Sequence, residues 1–203
     1  MNVIKLCFAT RNKHKLEEVQ AMLPQGIQLV GLDDIGCREE LAEDFQTLEE
    51  NSMQKAAYVY RHYHVPCFAD DSGLEIDALD GRPGADSAHY AGPQRSHSDN
   101  IDKVLRELTG ISNRDARFRC VITLAGANRL VSQEHEEYRQ FTGVLEGEIL
   151  PGREGTGGFG YDPIFIPKGF NKGLATLGMD EKNQISHRGR ALRMLSNYLL
   201  QDA

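Results

Sequence analysis

Short continuous apolar runs alternate along this chain with stretches in which apolar residues return every three or four positions. The run Ile4 to Ala9 predicts a strand, and Leu16, Val19 and Leu23 predict the helix behind it, stopped by Pro24. Ile27 to Gly31 repeats the strand pattern. Leu48 to Tyr63 reads as a helix with charges in its first turn. Val65 to Ala69 reads as a strand that runs into Asp70 and Asp71 and then a Ser72-Gly73 turn. Ile101, Val104, Leu105 and Leu108 share one face of a further helix, closed by Gly110. Arg117 to Leu124 and Glu136 to Thr142 predict antiparallel strands, and a helix from His187 to Leu200 follows. Alternation early and consecutive strands late predict an α/β fold with a mixed sheet and flanking helices. Gly81 to Ser98, rich in Gly, Pro, Ala and Ser, suits an ordered surface loop.

Composition narrows the class. With 203 residues, 40% apolar and 26% charged, the chain is an ordinary globular protein of one domain, or one domain with two lobes. A formal charge of −7, from 23 basic and 30 acidic residues, argues against a nucleic-acid polymer as partner. Cys7, Cys37, Cys67 and Cys120 contain no Cys-x-x-Cys pair and read as buried thiols in a reducing compartment. No run reaches membrane-spanning length and no signal-peptide core is visible, so a cytoplasmic setting away from membranes is expected.

Four segments carry chemistry. Thr10 to Lys15 joins the first strand to its helix, where hydroxyl, amide and ammonium groups meet free backbone N–H groups and make an anion site. Thr10 or Asn12 can equally serve as a plain cap, but lysines in a first turn oppose the helix dipole. In Glu43 to Asn51, Thr47 and Glu50 fit a capping box, which leaves Glu43 available as a metal ligand. Asp70 and Asp71 are two adjacent carboxylates whose mutual repulsion a hard divalent cation would relieve. Gly155 to Pro163 satisfies Gly-x-Gly-x-x-Gly mechanically, yet Pro163 and the β-type run behind it exclude the helix that a dinucleotide site requires. That loop instead presents Phe159 and Tyr161 as faces for stacking a base, or buries them beneath a hairpin. Downstream, Ser186 is a natural N-cap, and Lys182 and Arg188 are either solvated charges or pure donors aimed at a base carbonyl or phosphate.

Taken in order, these segments resemble the inosine triphosphate pyrophosphatase family. Thr10, Asn12 and Lys15 resemble its Thr-x-Asn-x-x-Lys opening, and Glu43 with Glu49-Glu50-Asn51 resembles its helix entry. Ala69 to Leu74, Gly155 to Pro163 and Glu181 to Arg188 match its later motifs. Departures fall at Asp44, at Ala85-Asp86 and at His89, and bear on the 84–92 loop rather than on the reaction.

The resemblance implies an elongated mixed sheet with two lobes around a nucleotide cleft, a single domain over residues 1–203, a homodimer and Mg²⁺ as cofactor. It implies hydrolysis of deaminated purine nucleoside triphosphates (ITP, dITP, XTP) to the monophosphate and pyrophosphate. Glu43 and Asp71 would hold the metal, with Asp71 as general base and Asp70 as the alternative. Substrate contacts would come from Thr10, Asn12, Lys15, Lys55, Ser72, Phe159, Gly160, Tyr161, Asp162, Lys182, His187 and Arg188. Lys182 and Arg188, which can only donate, suit a purine 6-oxo group and oppose the 6-amino group of ATP. GTP shares the 6-oxo group, so its exclusion must come from the 2-amino side, for which the sequence names no residue. A nucleotide-binding regulatory protein without turnover is the alternative reading, and an acidic set beside the phosphates speaks against it.

Overall fold

The computed structural model describes residues 4–126 and 137–200. Six strands form one sheet: β1 (Ile4–Phe8), β2 (Ile27–Val30), β3 (Cys67–Ile76), β4 (Asp115–Ala125), β5 (Tyr138–Ile149) and β6 (Phe165–Pro167), in the order β2-β1-β3-β4-β5-β6. β1 pairs in parallel with β2 and β3, whereas β5 and β6 are antiparallel, which is the mixed sheet expected. The helices are α1 (Lys13–Met22), α2 (Leu48–Tyr63), α3 (His97–Glu107), α4 (Met179–Ile185) and α5 (His187–Leu200). Glu136, the proposed start of the fifth strand, lies outside the described residues.

The chain divides into two compact units: residues 1–71, 120–143 and 189–203 in the first, 72–119 and 144–188 in the second. In the first, the parallel strands are apolar on both faces, as parallel strands covered by helices must be. Leu6, Phe8 and Phe68 pack with Val19 of α1 and Leu192, Leu195 and Leu199 of α5. Their neighbours in sequence, Cys7, Ala9, Cys67 and Ala69, pack with Ala56, Val59 and Tyr60 of α2. All four cysteines are buried free thiols. In the second unit, Ile101 and Val104 of α3 and Leu108 at its C-cap close over Leu74, Ile76, Phe118, Leu145 and Phe165.

Local chemistry sets the helix starts. Thr47 caps α2 by accepting from the Glu50 N–H at 3.2 Å, and the predicted Thr47–Glu50 pair closes through the Thr47 hydroxyl, which donates to the Glu50 carboxylate at 2.7 Å, rather than through the Thr47 N–H of a full capping box. Asn12, not Thr10, caps α1, accepting from the N–H groups of His14 and Lys15. Ser186 sits between α4 and α5 in an extended conformation. α4 itself goes unpredicted, because its seven residues are mostly polar and carry no apolar repeat.

One expectation is corrected. Ser72-Gly73 does not turn the chain; β3 runs straight through the acidic segment to Ile76. Two contacts make that possible. The carboxylates are met by lysines, as described below, and the Gly84 carbonyl oxygen lies so close over Gly73 that an added Cβ would collide with it. Gly73→Ala should therefore lower stability by about 1–3 kcal/mol, the usual range for overpacking. Urea unfolding tests this, and a variant as stable as the wild type would mean that the Gly84 turn moves aside freely.

Candidate active site

The pleat of β3 sends successive side chains to opposite faces, so its two adjacent carboxylates go to different helices. Asp70 follows the parity of Phe68 and meets α1: its Oδ1 accepts from Lys15 Nζ at 2.8 Å, and its Oδ2 accepts from the Cys120 thiol at 3.9 Å. Asp71 follows the parity of Ala69 and meets α2. Its Oδ1 accepts from Lys55 Nζ at 3.3 Å and its Oδ2 from Asn51 Nδ2 at 3.3 Å. Both carboxylates are buried, at 1% and 7% exposure.

Lys55 holds this cluster together. Its buried ammonium also donates to Glu43 Oε1 at 2.5 Å and to the Asp70 carbonyl at 2.7 Å. Burial alone would push the lysine towards its neutral form, but Asp71, Glu43 and Asp70 outweigh that and hold its pKa above the ordinary value. The two carboxylates that share this ammonium respond in opposite directions. For Asp71, burial is the larger effect, and Lys55 and Lys15 offset it only in part, so its pKa is raised. For Glu43, burial also acts upwards, but the attraction of Lys55 wins and its pKa is lowered. The difference follows the lysine, whose ammonium lies 2.5 Å from Glu43 but 3.3 Å from Asp71, and Asp71 is also repelled by Glu43 and Asp70.

Asn51 is the residue of this cluster whose job the sequence left unstated. Beyond Asp71 it accepts from the Phe45 N–H at 2.9 Å and donates to the Phe45 carbonyl at 3.0 Å, fastening the 43–46 loop to α2. Gln54 repeats the grip on Asp44. The signal was the spacing: Asn51 and Lys55 are one turn apart and share a helix face.

Three oxygen donors, Glu43, Asp70 and Asp71, thus surround two lysines. Among the described residues no group of three or more His, Cys, Asp or Glu side chains is arranged as a metal cage. Mg²⁺ does not require one, because it binds through one or two carboxylates together with waters and substrate phosphates. Glu43 and Asp71 already converge on one ammonium, so the donor set and its reach fit such an ion.

The second unit carries a different cluster. The glycine-rich loop is pinned by Asp162, whose Oδ2 accepts from the Phe159 N–H and from Lys182 Nζ, each at 2.9 Å. Gly158, at φ +73°, leaves no room for a Cβ beside that carboxylate. Lys182 Nζ lies 4.9 Å from the centre of the half-buried Phe159 ring, and the Arg188 guanidinium lies 5.6 Å from it. Arg188 Nη2 donates to Ser72 Oγ at 3.4 Å. Lys182 and Arg188 are only 8% and 2% exposed, so the solvated-charge reading fails for both. Gly160 donates its N–H to His97 Nδ1 at 3.4 Å.

Two further residues expected with this cluster have their rings packed against the second unit's interior, Tyr161 without an open face and His187 as buried as Lys182. Tyr161 is 4% exposed and its hydroxyl donates to the Ser87 carbonyl at 2.8 Å, so it offers no open stacking face. His187 is buried and its ring stacks on Phe118 with centroids 4.9 Å apart. Beyond the loop the chain enters a 3-10 turn at Asp162–Ile164 and then β6, not the helix of a dinucleotide site.

The sequence profile of the Ham1 family matches residues 6–198. A dITP/XTP pyrophosphatase of Flavobacterium johnsoniae is 46% identical, the alignment covering 97% of this chain and 98% of that protein. The solved structure of a HAM1 protein from Coxiella burnetii is similar at a TM-score of 0.85 and 37% identity, covering 97% of this chain and 98% of that one. The Staphylococcus aureus Ham1 protein is similar at a TM-score of 0.85 and 35% identity, over 96% of this chain and 97% of that one. Matched along nearly all of its length in sequence and in fold, the chain belongs to the Ham1 family.

Proposed function

We propose that this protein is a nucleoside triphosphate pyrophosphatase that hydrolyses deaminated purine nucleoside triphosphates (ITP, dITP and XTP) and so clears them from the nucleotide pool. The observation that carries the reading is the buried Lys55 ammonium shared by Glu43 and Asp71. A site that only bound triphosphate would gain nothing from carboxylates buried beside its lysines. The relatives named dITP/XTP pyrophosphatase support the same conclusion.

The first unit supplies the phosphate chemistry. Lys15 and Lys55 hold phosphate oxygens, and the N–H groups at the start of α1, with Thr10 and Asn12 beside them, favour anionic charge there. Asp71, its pKa raised by burial, takes a proton from the attacking water. The new bond forms at the α-phosphorus, the bond to the bridging oxygen breaks, and pyrophosphate leaves with that electron pair. Glu43 and Asp71 are the residues that would hold Mg²⁺, which when bound offsets phosphate charge and orients the leaving group. Asp70, paired with Lys15, keeps that lysine in place.

The second unit supplies the base chemistry. Phe159 stacks on the purine, and Lys182 and Arg188 donate to its 6-oxo group. Asp162 and Gly160 shape the loop, and Ser72 steadies Arg188. Tyr161 and His187 serve the site from the core beneath it. The whole chain works as one functional domain, as a homodimer in the cytoplasm. Its four free thiols suit a reducing compartment. Among the described residues no helix is long and apolar enough to cross a membrane.

Pyrophosphate release from ITP with Mg²⁺, compared with ATP, tests the activity directly. Asp71→Asn should cut turnover by roughly 10²–10⁴ at saturating Mg²⁺; near-normal turnover would remove Asp71 as the base. Glu43→Gln should mainly raise the Mg²⁺ concentration giving half-maximal rate, and an unchanged dependence would take Glu43 out of the metal shell. Arg188→Ala should depress ITP hydrolysis and narrow the ITP/ATP ratio of kcat/KM. Equal losses on the two substrates would return Arg188 to a structural role.

A further inference from the structure

We infer that His97, the first residue of α3, is the specificity-determining residue that faces position 2 of the purine and excludes guanine nucleotides. The inference rests on the base-stacking role given to Phe159 above. Three observations carry it: where the imidazole stands, which of its nitrogens holds the proton, and what distinguishes the purines.

The ring of His97 is a neighbour of the Phe159 ring, with centroids 6.4 Å apart and planes inclined by 41°. The two cations assigned to the 6-oxo group, Lys182 and Arg188, lie by the same ring. Contacts from either side of Phe159 set the position of His97. Arg153, just before the glycine-rich loop, donates to Asp102 Oδ1 at 2.8 Å and to the Ser98 carbonyl and hydroxyl oxygens, each at 3.1 Å. Gly160 N–H reaches His97 Nδ1 at the other end of that loop. The start of α3 thus meets the chain on both sides of Phe159, through Arg153 and through Gly160.

The Gly160 contact also fixes the tautomer. An N–H that donates to Nδ1 needs a lone pair there, so the ring proton resides on Nε2. His97 is an exposed residue, and its far nitrogen is therefore a hydrogen-bond donor available to a ligand.

Purine C2 and C6 flank N1 of the six-membered ring, so groups reading them approach from neighbouring directions. Xanthine carries an oxygen at C2, hypoxanthine a hydrogen and guanine an amino group. A fixed donor at that position pairs with xanthine, is indifferent to hypoxanthine, and opposes the guanine amino group donor to donor. Relatives named for dITP and XTP act on the two bases such a donor admits. Unpaired donors of this kind are what allow a polar pocket to reject a close analogue.

The test is kcat/KM of the full-length protein for ITP, XTP and GTP, with ratios taken within one preparation so that any misfolded fraction cancels. His97→Asn places an amide oxygen near Nδ1, where it can still accept from Gly160, and removes the distant donor. It should raise the GTP/ITP ratio by about tenfold or more and lower the XTP/ITP ratio. His97→Gln, whose amide nitrogen reaches as far as Nε2, should recover part of the wild-type discrimination. If His97→Asn changes all three substrates by one factor, or none, His97 reads no base and this assignment is overturned while the pyrophosphatase activity stands. A wild-type protein that releases no pyrophosphate from ITP or XTP overturns the activity, and the assignment with it.

Discussion

An ammonium group buried in a protein interior stays charged only where anionic oxygen comes to meet it, and in the first unit much follows from satisfying Lys55. Its carboxylate partners arrive from a strand and from a loop, and the loop is held by Asn51 and Gln54 on the same helix as the lysine. The cluster is therefore an electrostatic knot tying β3, α2 and the 43–46 loop. Removing one charge would leave the others buried and unbalanced, so the arrangement is stiff. Stiffness of this kind is what phosphate chemistry needs, since a preorganised set of charges does not have to rearrange as charge develops.

The second unit solves a similar problem with different materials. Lys182 and Arg188 are buried, and Asp162 is the carboxylate that answers Lys182 while gripping the loop that carries Phe159. One acidic residue thereby sets both a cation and an aromatic ring. The glycines around it are explained by proximity: at Gly158 the backbone passes so near Asp162 that no side chain fits. What looks in sequence like a flexible tract has its backbone held close to Ala175 at Gly155 and Gly157 and to Asp162 at Gly158.

Legibility in the sequence followed the range of the interactions. α2 was readable to the residue, because a capping box at its start and a regular apolar face are local signals. β1, β2 and α5 were readable for the same reason. The passage of β3 through Asp70 and Asp71 was not, since the lysines that permit it lie 55 and 16 positions away in the chain. α4 escaped because polar residues without period carry no helical mark. Lys15, Lys55, Glu43 and Asp71 could all be picked out by type, and the structure gathers them. For Phe159 and Tyr161 the sequence left stacking and burial both open, because an aromatic beside a glycine-rich loop looks the same from either side of the surface; the structure leaves Phe159 half-buried and turns Tyr161 inward.

The alternation of β3 reaches beyond the chemistry of any one residue. Asp70 and Asp71 are adjacent in the chain, yet the pleat gives each a separate helix and a separate lysine. Their identities are interchangeable by composition and distinct only by parity. Insertion or loss of a single residue in Cys67–Ala69 would exchange the partners of the two carboxylates and, at the same stroke, turn Phe68 and its neighbours to the wrong faces. Over evolutionary time this segment can accept changes of letter far more readily than changes of length, and its spacing should be the most slowly drifting feature of the gene.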